Sequence, residues 1–446
     1  MPISMSPLKI SDERMARAIA VADPVVTSGR ITQLVGLVLE AEGIVAAVGE
    51  VCVVESPRTE KPVLAEVIGF SNGRVLLMPF QHTAGIRAGQ LIVPTGKPLR
   101  VPVGRGLLGR IVDGIGNPID GRGPIEWETR RVTSAPVPDP LRRTRIDTVL
   151  ETGVRVLDGL VTCGRGQRLG IFAGSGVGKS TLLGMVCRNA VADVNVIALI
   201  GERGREVREF IDDILGPSGM AKSVVVVVTS DETPLMRIRG AETAMTIAEY
   251  FRDASDDVVF MMDSVTRFAM ALREVGISAG EVPASRGYTP SVFARMPQLL
   301  ERAGTSPDGS ITGFFSVLVE GDDVRNDPIT DAIRAILDGH VMLTRELANA
   351  NIFPAVDVLQ SISRLARDLL DDTQRERMAR ALGMCSTYQD AEDLITIGAY
   401  VKGSSDRIDE AVDRIDDLRS FIRQSPDEST SFEETQKLLA TITGVA

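Results

Sequence analysis

The sequence predicts a multidomain chain made of a small β-barrel, a central α/β domain with a mainly parallel sheet, and a carboxyl-terminal helical domain. Three observations support this prediction. Short β-like runs separated by Gly, Pro and Asn fill residues 25–95. Near-continuous apolar runs alternate with helical stretches from about residue 165 to 370, and the chain after residue 371 is helical with no strand signal. A length of 446 residues is also too great for one ordinary core, so several domains are expected.

The amino-terminal residues 1–24 are predicted to form an amphipathic helix or arm ahead of the barrel. Apolar residues recur at helical spacing over residues 10–23, Ser11 is a suitable N-cap, and Pro24 ends the pattern. Two roles fit this pattern equally well. The helix either packs on its own domain or serves as an arm that binds a partner.

Residues 25–95 are predicted to form the barrel. The clearest piece is "EVIGFSNGRVLLMPF", in which Asn72 and Gly73 supply the two positive-φ residues of a tight hairpin between two apolar runs. Several such strands within about 70 residues are typical of a small closed barrel.

Residues 96–370 are predicted to form the central α/β domain, and residues 371–446 the helical domain. A passage rich in Gly and Pro over residues 101–125 interleaves apolar residues with turns, which indicates a structured connector rather than a flexible linker. Runs such as "NVIALIGE", "SVVVVVTS" and "DVVFMMDS" suit strands of a parallel sheet that is buried on both faces.

Composition excludes several classes of protein. The formal net charge of −11 disfavours a broad nucleic-acid-binding surface, and an aromatic content of 4% offers little for base stacking. The amino terminus lacks the apolar core of a signal peptide and no apolar run could span a bilayer, so a soluble cytoplasmic protein is expected. Neither a disulfide framework nor a zinc site is expected, because the four cysteines are scattered.

The segment "IFAGSGVGKSTLLGM", Ile171–Met185, is predicted to be a phosphate-binding loop. It follows a predicted strand and opens a predicted helix, which is the context that such a loop requires. The usual pattern has glycine where Ala173 stands, but alanine is tolerated there if the backbone keeps a negative φ. Glycines further on let successive N–H groups curl around phosphate oxygens. The residues assigned to nucleotide binding are Gly174, Ser175, Gly176, Val177, Gly178, Lys179, Ser180 and Thr181.

Two carboxylates complete the predicted catalytic site. Asp263 ends an apolar strand, where an NTPase places the acid of its magnesium site. Glu202 lies just past the end of another strand, at the sheet edge where ligands bind, and could polarise the attacking water. Glu206 competes for that role. Both glutamates could instead form ion pairs with the neighbouring arginines Arg203, Arg205 and Arg208, and their spacing does not decide between these roles.

Taken together, these motifs resemble the rotary-type hexameric ATPases related to the catalytic subunit of the F-type ATP synthase. The resemblance rests on "AGSGVGKSTLL", "GERGREVREF", "MMDSVTRFA", "PASRGYTPSVFARMPQLLERAG" and "FPAVDVLQSISR", in this order, and covers nearly the whole chain. Within that group, "GRGQRLGIFAGSGVGKSTLLGM" and "GERGREVREF" are most similar to the type III protein-export ATPases of flagella and injectisomes. The resemblance implies a RecA-like P-loop domain that uses ATP and Mg²⁺.

The resemblance also implies roles for individual residues. Lys179 would bind the phosphates, Ser180 and Asp263 would form the metal site, and Glu202 would activate water. Two arginines, Arg203 and Arg267, match positions near the γ-phosphate, and Arg364 in "SISR" matches the arginine finger that enters the neighbouring subunit's site. Phe353 and Tyr400 match aromatic positions that flank the adenine ring. For Tyr400, a role in the core is an equal alternative.

A ring of identical chains would suffice for this chemistry, because one chain holds both the candidate glutamate Glu202 and the candidate finger Arg364. The resemblance implies a homohexamer that energises protein export, with flagellar export preferred to injectisome secretion. It further implies a stator-like regulator on the amino-terminal helix, a coiled-coil stalk in the pore, and contacts with an export gate, chaperones and export substrates. The ring would be peripheral at the cytoplasmic face of the inner membrane.

Three alternatives stay open at the level of sequence. An RNA-translocating termination motor shares a related core, but the acidic balance and the lack of interleaved aromatic and basic residues disfavour it. A non-catalytic ring subunit would not need both Lys179 and Glu202. An ATP-synthase catalytic subunit is disfavoured by "CSTYQDAEDLITIGAY", which replaces the acidic segment expected between the carboxyl-terminal helices.

Overall fold

The computed structural model describes residues 27–55, 62–319 and 327–446 and divides into two compact units, residues 1–98 and 99–446. The predicted amino-terminal helix over residues 1–24 lies outside the described residues.

The first unit is a closed barrel with the strand order β1-β2-β5-β4-β3-β6. Its core consists of inward-facing aliphatic side chains such as Leu39, Val54 and Leu77. The predicted hairpin is confirmed, because Asn72 and Gly73 both adopt positive φ, of 50° and 75°. The strands are Gly29–Val35 (β1), Val38–Glu42 (β2), Glu50–Val54 (β3), Val63–Ser71 (β4), Arg74–Pro79 (β5) and Leu91–Pro98 (β6).

The second unit contains one large sheet and a separate two-stranded sheet, in which Arg100–Val103 pairs with Thr129–Val132. Its strands are Arg100–Val103 (β7), Ile111–Val112 (β8), Thr129–Val132 (β9), Arg168–Ala173 (β10), Val194–Glu202 (β11), Ser223–Thr229 (β12), Asp257–Asp263 (β13), Gly304–Thr305 (β14), Ser310–Leu318 (β15), Gly339–Leu343 (β16) and Val356–Ser363 (β17). Its helices are Arg155–Leu160 (α1), Lys179–Asn189 (α2), Gly204–Glu209 (α3), Gly216–Ala221 (α4), Pro234–Asp253 (α5), Val265–Ser278 (α6), Pro290–Leu300 (α7), Pro328–Ile336 (α8), Arg345–Asn349 (α9), Ala366–Leu369 (α10), Asp372–Thr396 (α11), Asp406–Ile422 (α12) and Phe432–Thr443 (α13). Short 3₁₀ turns occupy Arg105–Leu107, Pro140–Arg142 and Ser285–Gly287, and a π-helical segment, Phe210–Leu215, joins α3 to α4.

The main sheet has the order β17-β16-β10-β15-β13-β11-β12-β8, with β14 paired to β15. Every pair from β16 to β8 along this order is parallel, while β17 and β14 are antiparallel to their neighbours. The strand β12, "SVVVVVT", is buried along nearly its whole length, as expected for a strand covered on both faces. The predicted connector over residues 101–125 is structured, and it contributes β8 to the sheet. The predicted fold class is confirmed.

The carboxyl-terminal helices share the core of the α/β part rather than forming a separate one. Leu418, Phe421 and Leu439 belong to the same hydrophobic cluster as Leu157 of α1. A Cβ added to Gly159 would lie 2.8 Å from the Phe421 ring, so glycine is what allows this close approach. The boundaries predicted at residues 95 and 370 stay predictions. None of the described helices is both long and apolar enough to cross a membrane.

Candidate nucleotide-binding site

The predicted phosphate loop lies between β10 and α2, at the carboxyl edge of the parallel sheet. Gly176 and Gly178 adopt φ of 79° and 87°, a left-handed conformation that favours glycine at both positions. Ala173 is the last residue of β10, pairs with Leu318 and Leu343 on the flanking strands, and is not among the residues with positive φ. Alanine therefore fits at the position where the usual motif has glycine.

The loop contains backbone amides that are free to bind an anion. Within the described ranges, the backbone N–H groups of residues 175–178 find no hydrogen-bond acceptor. The eleven-residue helix α2 starts directly after them, at Lys179, so the partial positive charge of its amino end lies beside these amides. Unused donors, a helix amino terminus and a lysine together fit a nucleotide phosphate.

Lys179, Asp263 and Ser316 form a buried polar group beside the loop. Lys179 Nζ makes an ion pair with Oδ1 of Asp263, whose side chain is only 4% exposed. The hydroxyl of Ser316 donates to the same oxygen at 2.6 Å and lies 3.3 Å from Lys179 Nζ. Strand order explains the arrangement, because β15 lies between β10 and β13. Sequence reasoning did not find Ser316, which stands inside an apolar strand without any motif.

Glu202 ends β11, next to the strand that carries Asp263. Its Oε1 is buried and has no hydrogen-bond partner in the described part of the chain. Burial, followed by the negative charge of Asp263, raises the pKa of Glu202 to about 7, although the positive charge of Lys179 partly opposes the shift. A carboxylate with this pKa accepts a proton readily near neutral pH, which suits a general base.

Arg267, in the first turn of α6, packs its side chain against Gly201. A Cβ at Gly201 would lie 2.9 Å from Cβ of Arg267, so glycine is needed for the contact. The Nε of Arg267 is buried without an acceptor among the described residues. Arg203 differs, since its side chain is 77% exposed and pairs with Glu206 at 2.9 Å. Glu206 is thus engaged by an arginine, as its alternative role allowed.

The two predicted aromatic positions lie in different surroundings. Phe353 is 40% exposed, and a Cβ at Gly178 would lie 3.4 Å from its ring, so Phe353 borders the phosphate loop. The hydroxyl of Tyr400 instead donates to Asp409 at 2.7 Å and lies 3.1 Å from the carbonyl oxygen of Ser405. These contacts tie Tyr400 to the start of α12.

A further arginine that sequence reasoning missed lies over the loop. A Cβ built on Gly174 would be 3.8 Å from Nη2 of Arg345, the first residue of α9. Arg345 is exposed and forms no ion pair within the described segments. Arg345 follows β16 in the structure, but no motif in the sequence distinguishes it from other arginines.

Arg364 lies at the amino-terminal ends of the parallel strands, opposite the phosphate loop. Its backbone N–H donates to the carbonyl of Asp338 at 3.0 Å, and the N–H of Asp338 donates to the carbonyl of Arg168, the first residue of β10. The phosphate loop begins after the last residue of that strand, Ala173. The side chain of Arg364 is exposed, and its Nη2 donates to the backbone carbonyl of Arg334 at 3.2 Å. The structure therefore brings Lys179, Glu202, Asp263 and Arg267 together, but not Arg364.

Three family models match the chain along its length. The nucleotide-binding domain of the ATP synthase alpha/beta family matches residues 153–363, and the beta-barrel domain of that family matches residues 31–96. The T3SS EscN ATPase C-terminal domain matches residues 370–441. The order of these matches agrees with the barrel, the α/β part and the terminal helices described above.

Similar proteins match this chain over nearly its whole length. The flagellum-specific ATP synthase of Bacillus subtilis (strain 168) is 49% identical over 93% of this chain and 95% of its own. The type 3 secretion system ATPase of Xanthomonas euvesicatoria is 48% identical over 93% and 94%.

Solved structures agree with these relatives. The assembled ATPase EscN from the enteropathogenic E. coli type III secretion system is 45% identical, with a TM-score of 0.88 over 93% of this chain and 100% of its own. EscN in complex with its central stalk EscO is 44% identical, with a TM-score of 0.86 over the same shares. The chain is an ATP-hydrolysing enzyme of the ATP synthase alpha/beta family and belongs to its branch of flagellum-specific ATP synthases and type 3 secretion system ATPases.

Proposed function

We propose that this chain hydrolyses ATP as a subunit of a homohexameric ring that drives protein export through a type III apparatus, with the flagellum as the first choice of apparatus. One observation carries the shared-site part of this proposal. Arg364 lies at the end of the parallel strands opposite the phosphate loop of its own chain, and this position supports a role at a nucleotide bound by another chain. The assembled state of EscN, alone and with its central stalk, supports a ring.

In the proposed site, Lys179 exchanges partners when ATP binds. Its ammonium turns from Asp263 and Ser316 toward the β- and γ-phosphates, and the amides of residues 175–178 take the remaining phosphate oxygens. Phe353, which borders the loop, would stack against the base, with Tyr400 as a second aromatic neighbour. The exchange releases a buried carboxylate at the place where a cation is needed.

The residues present fit a magnesium ion. Ser180 follows Lys179 at the start of α2, and Asp263 holds a cation in the form of the lysine ammonium. A hydroxyl and a carboxylate are the oxygen ligands that Mg²⁺ prefers. When bound, Mg²⁺ would neutralise charge on the β- and γ-phosphate oxygens.

Glu202 is proposed as the base that orients and deprotonates the attacking water. Its unpartnered Oε1 and its raised pKa leave it able to take a proton near pH 7. Arg267 and Arg203 flank the same strand end, and each would contribute positive charge near the γ-phosphate. The arginine of the neighbouring chain, Arg364, would stabilise charge that develops on the transferring phosphoryl group.

The partners of the ring are proposed on the same basis. A coiled-coil stalk would occupy the pore, a stator-like regulator would bind residues 1–24, and the ring would work at the cytoplasmic face of the inner membrane with an export gate, chaperones and export substrates. The complex of EscN with its central stalk EscO supports the stalk. No nucleic-acid partner is proposed, in keeping with the net charge of −11.

The proposal is tested by measuring ATP turnover per chain against protein concentration, with Arg364→Ala alongside. Turnover that rises steeply with concentration and collapses in the variant supports a site shared between identical chains. Flat turnover that ignores Arg364 would refute it. Deleting the gene and scoring motility and secreted flagellin then tests the apparatus, because an injectisome ATPase would leave both unchanged.

A further inference from the structure

Arg364 does not stand alone at its edge of the sheet. Its Nη2 donates to the backbone carbonyl of Arg334, the third residue from the end of α8, at 3.2 Å. His340 lies close to both side chains. Burial and then the positive charges of Arg334 and Arg364 lower its pKa. Two guanidinium groups therefore occupy one small region of the surface.

The side chain of Arg334 is held in place by stacking. Its Cζ lies 5.2 Å from the centre of the Phe172 ring, which is fully buried and which His340 meets edge-on at 5.7 Å. The ring has room because it lies over Gly170, where a Cβ would come within 2.4 Å of it. A cation over an aromatic face is attracted to the ring, but the ring cannot accept its hydrogen bonds in the way a carboxylate does.

Neither guanidinium has a carboxylate partner in the portion of the chain that the structure describes. The Nε of Arg334 is buried there without any acceptor. Neighbouring Arg168, by contrast, pairs with both Glu301 and Asp338. Two like charges held side by side are unfavourable unless an anion from elsewhere neutralises them.

We propose that Arg334 is a second arginine acting in trans: beside Arg364, it contacts the terminal phosphate of the ATP held by the neighbouring subunit and stabilises the charge that develops there during transfer. This inference rests on the proposed ring. A phosphate offers several acceptor oxygens and more than one negative charge, which matches two adjacent guanidiniums. A carboxylate of the neighbouring subunit would need only one of them.

The first test compares Arg334→Met with the wild type at a concentration where the wild type is fully assembled. Methionine keeps an apolar chain over Phe172 but removes the charge. We expect kcat to fall at least about tenfold with KM for ATP changed less than about threefold, because the lost interaction acts on developing charge. Arg367→Gln removes an exposed charge three residues beyond Arg364 and should leave kcat unchanged. Wild-type kcat in Arg334→Met would overturn the inference.

A second test mixes two variants that are each impaired in a different part of the shared site. Lys179→Ala chains lack a working phosphate loop but keep both arginines, whereas Arg334→Met chains keep a working phosphate loop. If Arg334 acts in trans, the mixture regains turnover, because the arginines of one chain contact the ATP bound at the phosphate loop of the other. This recovery also shows that the Arg334→Met chain folds. A mixture that stays inactive, while Lys179→Ala and Arg364→Ala chains do restore each other, would overturn the role of Arg334 and leave the ring intact.

Two other results also decide the matter. If neither mixture recovers, the shared site itself is wrong, and the role of Arg334 fails with it. If Arg334→Met rings fail to assemble by light scattering, yet turn over normally once concentrated, then Arg334 pairs with a protein carboxylate between subunits and the proposed phosphate contact is refuted.

Discussion

Lys179 and Arg364 lie at opposite ends of the strands of the same parallel sheet. Lys179 begins the helix that follows β10, whereas Arg364 is bonded through Asp338 to Arg168 at the start of that strand. At about 3.3 Å per residue, the first and last residues of β10 are about 17 Å apart, and this length separates Arg364 from the phosphate loop. No arginine side chain bridges that distance, and Arg364 is also turned toward Arg334. Arg364 could therefore approach ATP only at the phosphate loop of another chain.

Glu202→Gln should abolish most of the turnover while sparing nucleotide binding. Glutamine keeps the shape of the side chain but cannot take a proton from water, so kcat should fall at least about 100-fold. The Kd for ATP should stay within about threefold. Glu209→Gln is the matched control, since it removes a carboxylate of the following helix that pairs only with the exposed Arg205. Equal loss in both variants, measured by steady-state kinetics and calorimetry, would contradict the role of Glu202.

The pH dependence of kcat/KM should follow the same carboxylate. Burial and the charge of Asp263 raise the pKa of Glu202 to about 7, so this carboxyl group is protonated below that pH and deprotonated above it. A base acts only when deprotonated, and kcat/KM should therefore rise with pH through about 7 and then level off. Residual activity of Glu202→Gln should lack the rise. A wild-type profile that is flat between about pH 6 and 8 would be incompatible with this assignment.

Ser316→Ala should cost both stability and turnover. The change removes a hydrogen bond to the buried Asp263 and a contact with Lys179, which should lower the free energy of unfolding by about 1–3 kcal/mol and kcat by about tenfold. Ser310→Ala is the control, because Ser310 donates to Asp257 at 2.7 Å from the other end of the same strand. Only Ser316→Ala should lose turnover. If Ser310→Ala loses as much, the effect belongs to the strand and not to the site.

The phosphate loop and the two carboxylates beside it could be predicted from the sequence because each has a local signal. Gly178 and Lys179 stand in a motif, and Glu202 and Asp263 end apolar strands. Which strands lie side by side is not written in any local pattern. The pairing of β15 with β13 is what brings Ser316 to Asp263, so Ser316 was missed. The position of Arg364 opposite the phosphate loop depends in the same way on long-range strand pairing.

Arg345→Gln should weaken the binding of both ATP and ADP. The exposed guanidinium of Arg345 lies beside Gly174 and has no ion-pair partner among the described residues, so its charge is available to a phosphate. Loss of one such contact should raise both Kd values about threefold to tenfold, with kcat little changed. Arg407→Gln, an exposed charge at the start of α12, serves as the control. Unchanged Kd values by fluorescent-nucleotide titration would remove Arg345 from the site.

Two glycines in helices should respond to alanine in opposite directions. A Cβ at Gly184 of α2 would lie 1.9 Å from Cγ2 of Ile214 in the π-helical segment, whereas a Cβ at Gly383 of α11 would meet nothing within 4 Å. Gly184→Ala should therefore lower the free energy of unfolding by about 1–3 kcal/mol through overpacking. Gly383→Ala should raise it by about 1 kcal/mol, since alanine favours helix.

Thermal unfolding of both variants checks the prediction, and nucleotide binding adds a second measure. Because α2 begins with Lys179 and Ser180, a shift of this helix away from Ile214 would also move the phosphate loop. Gly184→Ala should then bind ATP more weakly than the wild type, whereas Gly383→Ala should bind it equally well. Stabilisation by both alanines would mean that the π-helical segment yields to the added methyl group, and the close packing of α2 would then play no part in holding the loop.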